Sequence, residues 1–157
     1  MTDSHILPKK RIIVCVGLMG LGVLCDQLLK NWVINTLPLH QVISVIPHVL
    51  SLTYLRNEGA AYSLFQERHV LLIVITAVVL MMVAWYLVRH IRDALPLVIG
   101  LSLVLTGGIG NLMDRLRLGY VVDMFQLEFV RFPVFNLADG ILTLGACSLI
   151  IWMIKEG

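Results

Sequence analysis

Two aspartates beside apolar runs are the residues of this chain best suited to chemistry. Asp123 closes the run Val121-Val122-Asp123, and Asp139 stands in FPVFNLADGILTLG, where the last apolar stretch begins. A carboxylate at bilayer depth costs about 2.5–3.5 kcal/mol on insertion scales, so a chain that keeps one generally uses it. Two carboxylates that meet in one low-dielectric site cannot both ionise easily, and their pKa values separate. One can then take a proton from water while the other donates to a carbonyl and afterwards to a leaving group. Asn136, three residues before Asp139, would share its face if both were helical. Taken alone, Asp139 is equally explained as a charge suited to a helix N-terminus.

Other polar groups gather in three places. Asp26 and Lys30 are four residues apart and can pair on one helix face, either as a tolerable ion pair or as a support for a site. Arg56-Asn57-Glu58-Gly59-Ala60-Ala61-Tyr62 has the Asn and Gly of a turn, with small residues that permit close backbone approach. Gly107-Gly108-Ile109-Gly110-Asn111-Leu112-Met113-Asp114-Arg115 combines close-packing glycines with Asn111 and Arg115 four apart, able to point together at a substrate carbonyl or lipid headgroup. This run lacks the Lys-Ser/Thr of a phosphate loop. Cys15, Cys25 and Cys147 lie in apolar runs and read as packing cysteines. The five scattered histidines show no zinc-binding spacing, so no metal site is expected.

The elements that must position these groups follow from composition. The 157 residues are 59% hydrophobic and 14% charged, with a mean hydropathy of +0.90. A soluble domain carries about 25% charged residues, so this is a membrane chain. A net charge of +2 gives no argument for nucleic acid. A helix needs about 20 residues to cross the hydrocarbon. Four spans fit: Ile12 through Asp26 and Lys30 to Ile34, Val70–Val88, Ala94–Met113 and Phe132–Ile154. Leu24 before Cys25, and polar residues continuing the same helix, favour a retained first span over a cleaved lipoprotein signal. Trp32, Trp85 and Trp152 lie near span ends, as interfacial aromatics do.

The Lys9-Lys10-Arg11 cluster orients both termini to the cytoplasm, with Arg89, Arg92 and Lys155 on the same side. Arg56, Arg68, Arg115, Arg117 and Arg131 fall on the other side. Asp26 then lies about 21 Å along the first helix, near the outer leaflet, at the depth of Asp114 and Asp139. Residues 40–66 and 118–132 have strand composition. Val121, Asp123, Phe125, Leu127 and Phe129 would share one strand face. The expected fold is therefore an all-α membrane protein of four transmembrane helices with a small extracytoplasmic β-strand cradle. No repeat or linker divides residues 1–157, so a single domain is expected.

Five blocks appear in order over nearly the whole chain: DQLLK at 26–30, NEGAAYS at 57–63, GGIGNLMDR at 107–115, VVDMF at 121–125 and FNLADG at 135–140. In these the chain resembles signal peptidase II, the bacterial lipoprotein signal peptidase family. Tyr62 and Gly140 stand where Phe and Ser are frequent. The resemblance implies an intramembrane aspartyl endopeptidase with Asp123 and Asp139 as its catalytic pair. Its substrate would be a diacylglyceryl-modified prolipoprotein, cut just before the lipidated lipobox cysteine. It also implies inhibition by the cyclic peptide globomycin, no metal or other cofactor, and a bacterial cytoplasmic (inner) membrane surrounded by phospholipid. The expected state is a monomer. Asn57, Gly59, Asn111, Arg115 and Asn136 would orient or bind substrate, and Asp26, Lys30 and Asp114 would act as structural supports. Two other readings use the same residues. A proton-relay transporter would distribute its carboxylates through the membrane, and a Mg²⁺-dependent lipid phosphotransferase would draw on Asp114, Asp123 and Asp139.

Overall fold

The computed structural model describes residues 8–59 and 69–156. Within them, the elements run α1 (Pro8–Thr36), β1 (Val42–Ile46), β2 (Leu50–Asn57), α2 (His69–Arg89), α3 (Leu95–Leu118), β3 (Val121–Leu127) and α4 (Leu137–Glu156). All four helices are long and apolar enough to cross a membrane. Large apolar side chains stand exposed along them, among them Val14, Leu21 and Leu28 on α1, Met81 and Trp85 on α2, and Ile150 and Ile154 on α4. Helices apolar on nearly every side need lipid as their solvent. This is a multi-pass membrane protein.

The central helix is α3, which packs against the other three helices and against β3. Its glycines make the approach possible. A Cβ at Gly107 would collide with the Ala138 carbonyl and Leu142 of α4, and one at Gly145 would lie 2.8 Å from the Gly100 carbonyl oxygen. Lipid tails are as apolar as the helices, so backbone contact of this kind supplies the packing that hydrophobicity cannot. Gly119 ends α3 in a left-handed turn (φ 85°), and its N–H donates to the Arg115 carbonyl at 3.2 Å. Two residues later, at Val121, β3 begins.

The strands form an antiparallel sheet in the order β1-β2-β3. It lies at the end of the bundle where α1 and α3 finish and α2 and α4 begin. Leu55 pairs with Asp123 and Asn57 with Val121. Asn57 and Asp123 are thus diagonal neighbours on one face of the sheet.

Several boundaries differ from the sequence reading. The fourth helix starts at Leu137, not Phe132, because residues 132–136 are extended. Phe135 is tied to β3: its N–H donates to the Phe125 carbonyl at 3.0 Å, and its own carbonyl accepts from Met124 and Phe125. Apolar composition made these residues look like helix, but the sheet takes their backbone. The third helix runs to Leu118 rather than Met113, so Asp114, Arg115 and Arg117 are helical. β3 ends at Leu127, leaving Phe129 beyond the strand, and Val121 to Met124 are buried on both faces. The sheet here is enclosed, which erases the expected alternation. The part of the cradle over 60–66, including Tyr62, lies outside the described residues.

Candidate active site

Sequence-distant segments converge where the sheet meets the helices. Asp123 comes from β3 and Asp139 from the first turn of α4. Asn136 joins them. Its side-chain Nδ2 donates to Asp123 Oδ1 at 2.7 Å, and its backbone N–H donates to Asp139 Oδ2 at 3.1 Å. In return, Asp139 N–H donates to Asn136 Oδ1 at 2.9 Å. This reciprocal pair is a capping box at the start of α4. Asn136 therefore does not share a helical face with Asp139. It caps the helix, because Phe135, the residue before it, is bridged to Phe125 of β3 and lies outside the helix.

Two more amides complete the site. Asn57 Nδ2 donates to Asp123 Oδ2 at 2.8 Å, and Asn111 Nδ2 donates to Asp139 Oδ1 at 2.7 Å. Each aspartate thus accepts two neutral donors and faces no cation directly among the described residues. The amide orientations are fixed, because each side-chain oxygen accepts from a group that can only donate there. Asn57 Oδ1 takes the Gly59 N–H at 3.1 Å, Asn136 Oδ1 takes the Asp139 N–H, and Asn111 Oδ1 takes Lys30 Nζ at 3.0 Å.

Asp123 is 1% exposed, whereas Asp139 is half-buried. Burial pushes the Asp123 carboxyl up to about 6. The hydrogen bond from Asn57 opposes that rise, the charge of Asp139 adds to it, and Asn136 and Lys30 pull it back. Near neutral pH such a group can hold or release a proton, as acid–base chemistry requires.

A second layer lies behind. Lys30 Nζ pairs with Asp26 Oδ2 at 2.9 Å and with Asp114 Oδ2 at 2.8 Å, all three side chains being almost fully buried. The two carboxylates then reach back to the backbone. Asp26 Oδ1 accepts the Ala138 N–H at 2.9 Å, and Asp114 Oδ2 accepts the Val122 N–H at 3.2 Å. Each grips the residue immediately before one of the site aspartates. Gly110 lets Asp26 come close, since a Cβ there would lie 2.7 Å from Asp26 Oδ2.

Arg115 does not join Asn111 in the way their spacing suggested. Asn111 turns its side chain to Asp139, while Arg115 Nη1 donates to the Asn111 backbone carbonyl at 3.4 Å and Nη2 to the Gly59 carbonyl at 3.3 Å. Arg115 is thus bound to the turn that follows Asn57. Asn57, Asn111, Asp123, Asn136 and Asp139 make the first layer and Asp26, Lys30 and Asp114 the second, while Gly59 and Arg115 adjoin the first through Asn57 and the Asn111 backbone. Sequence reasoning gave no role to Gln27. Its Nε2 donates to Asp114 Oδ1 at 2.8 Å and to the Gly110 carbonyl at 3.2 Å, and its Oε1 accepts from Arg117 at 3.0 Å. The available signal was a polar side chain next to Asp26 in an otherwise apolar run.

Comparison with known proteins gives the family. The family described as signal peptidase (SPase) II matches residues 18–155. The lipoprotein signal peptidase of Streptococcus pneumoniae is 45% identical over 150 residues, covering 96% of this chain and 97% of that one. The one from Lactococcus lactis is 40% identical over 135 residues, covering 86% and 89%. A solved bacterial membrane enzyme at 31% identity superposes with a TM-score of 0.85, covering 92% of this chain and 90% of its own. The chain belongs to the signal peptidase II family and is a membrane peptidase.

Proposed function

We propose that this chain is an aspartyl endopeptidase that removes the signal peptide from diacylglyceryl-modified prolipoproteins, cutting just before the lipidated cysteine. The observation that carries the mechanism is the bridge at Asn136, which ties the carboxyls of Asp123 and Asp139 together through one residue. The bridge holds the two carboxyls in one site, where the charge of Asp139 helps to raise the pKa of Asp123. The ionised member takes a proton from water as it attacks the scissile carbonyl. The protonated member donates to the carbonyl oxygen; the other, now carrying the proton taken from water, passes it to the departing amide nitrogen while the collapsing gem-diol returns a proton to the first. Support for carboxylate rather than metal-ion chemistry comes from Asp114, which is already committed to Lys30, Gln27 and the Val122 N–H.

Asn57, Asn111 and Asn136 orient the pair. Arg115 and Gly59, at the rim, receive the substrate near its lipidated cysteine. Asp26, Lys30 and Asp114 hold the frame. The unit is a single peptidase domain acting as a monomer in the bacterial cytoplasmic membrane. Both termini are cytoplasmic, and the sheet and site lie at the outer leaflet among phospholipids. Lys9, Lys10 and Arg11 support that orientation. Lipid on the substrate cysteine would hold the scissile bond at this depth, and globomycin would compete for the same site.

The test is cleavage of a synthetic lipobox peptide, with and without its diacylglyceryl group, by the purified protein in detergent. Mass spectrometry should find a single cut before the cysteine, only in the lipidated peptide, blocked by globomycin and indifferent to EDTA. Equal cleavage of the unlipidated peptide would reject the substrate assignment. Loss of turnover in EDTA would reject the two-aspartate mechanism.

A further inference from the structure

Lys30 carries three ammonium protons, and the structure accounts for all of them. Two contacts go to Asp26 and Asp114, at 2.9 and 2.8 Å, and neutralise buried carboxylates. The third goes to a neutral group, the Asn111 side-chain oxygen, at 3.0 Å. Charge neutralisation does not explain that third contact.

Its effect follows from the symmetry of an amide. Rotated by half a turn, the Asn111 side chain would set its oxygen against Asp139 Oδ1, where its Nδ2 now donates at 2.7 Å. Two acceptors at that separation repel. Asn57 and Asn136 are protected from such a flip by backbone N–H groups, those of Gly59 and Asp139. Asn111 depends on side chains: the ammonium of Lys30, with Asn136 Nδ2 as a longer second donor at 3.1 Å. An ammonium has no acceptor, so the orientation it imposes is unambiguous.

We infer that Lys30 is a positioning residue for the reaction, locking the amide of Asn111 with its NH₂ group on Asp139. This rests on the reading of Asp123 and Asp139 as the catalytic pair. Lys30 touches neither aspartate of that pair and acts through Asn111. Its loss would let the amide rotate and turn a supporting donor into a repelling acceptor. Substrate contacts at the rim would be untouched, so kcat should fall while KM holds.

Lys30→Met alone strands two buried carboxylates, so the informative variant is charge-balanced: Lys30→Met/Asp26→Asn/Asp114→Asn. The asparagines keep acceptors for the Ala138 and Val122 N–H groups. Cleavage of the lipidated peptide is measured together with thermal unfolding. Expected is a folded protein with KM near that of the wild type and kcat lower by roughly 10- to 100-fold, the value of a hydrogen bond to a charged group. Adding Asn111→Ala should then cost less than about threefold more, because the two residues act as one unit. Wild-type kcat in the folded triple variant, or full additivity with Asn111→Ala, would overturn the inference.

If the triple variant does not fold, Lys30→Met/Asp26→Asn, which removes one charge of each sign, decides instead. That protein should show a loss of kcat comparable to that of Asn111→Ala, and wild-type kcat in the folded protein would overturn the inference. Asp123→Asn and Asp139→Asn are assayed in parallel. Cleavage by either would reject the catalytic pair itself, whereas their inactivity beside a fully active triple variant would reject only the role of Lys30.

Discussion

Two pairs of aspartates lie one behind the other in this protein, and their surroundings are opposite. Asp26 and Asp114 share an ammonium, that of Lys30. Asp123 and Asp139 receive amide and backbone N–H groups. A nearby cation favours the charged form of a buried carboxylate, whereas neutral donors stabilise that form less. In the front pair, burial raises the Asp123 carboxyl to about 6, so its proton can come and go near neutral pH. The rear pair also positions the front pair, since it grips the backbone N–H groups of Ala138 and Val122, each next to a front aspartate. Identical residue types thus meet a cation in one place and neutral donors in the other.

The comparison can be broken most forcefully at the shared cation. Lys30→Met leaves two buried carboxylates without a counter-charge and should cost about 3–5 kcal/mol of stability. Chemical unfolding in detergent would show it. Disturbing the contact that brings both pairs together should cost less. Gly107→Ala drives a methyl group into the Ala138 carbonyl and should destabilise by about 1–3 kcal/mol, read as a lowered midpoint in the same experiment.

At the rim, Arg115→Ala should leave the unfolding midpoint nearly unchanged and raise KM by about tenfold, equivalent to roughly 1.4 kcal/mol. Steady-state kinetics on the lipidated peptide would separate KM from kcat. The smallest effect sharpens the electrostatic contrast. Asp123 is raised to about 6, so its proton is lost as pH rises through that value, and kcat/KM should decline on that alkaline side. Asn57 donates to the ionised form and lowers this pKa. Asn57→Ala should therefore move the alkaline limb upward, by less than about one unit. The same shift bears on stability. Between about pH 4 and 6 the unfolded chain ionises this group while the native one retains its proton, so native stability falls as pH rises across that window.

Much of this was legible in the sequence because lipid imposes a coarse rule. Uncharged runs of sufficient length had to be helices, and all four were found. The rule fails where apolar residues serve another partner. Phe132 to Phe135 read as helix by composition, yet β3 claims Phe135, and that extension is what brings Asn136 to Asp123. The site aspartates were legible because carboxylates beside apolar runs are costly. The different donors of the two pairs were less so, since nothing in Asp26 or Asp139 alone says which partners it will meet. Gln27 escaped notice because a single amide in a helix is chemically unremarkable until Asp114, Gly110 and Arg117 close around it.

The most direct test of the division between the two pairs is cleavage of the diacylglyceryl-lipobox peptide by wild type, Asp123→Asn, Asp139→Asn and Asp26→Asn, each confirmed as folded. The two front variants should lose on the order of 10⁴-fold or more in kcat, at the upper end of what an acid–base group supplies, while Asp26→Asn keeps most of its turnover in the molecules that fold. Full activity in either front variant, or equal losses in all three, would contradict the assignment of Asp123 and Asp139 as the reactive pair.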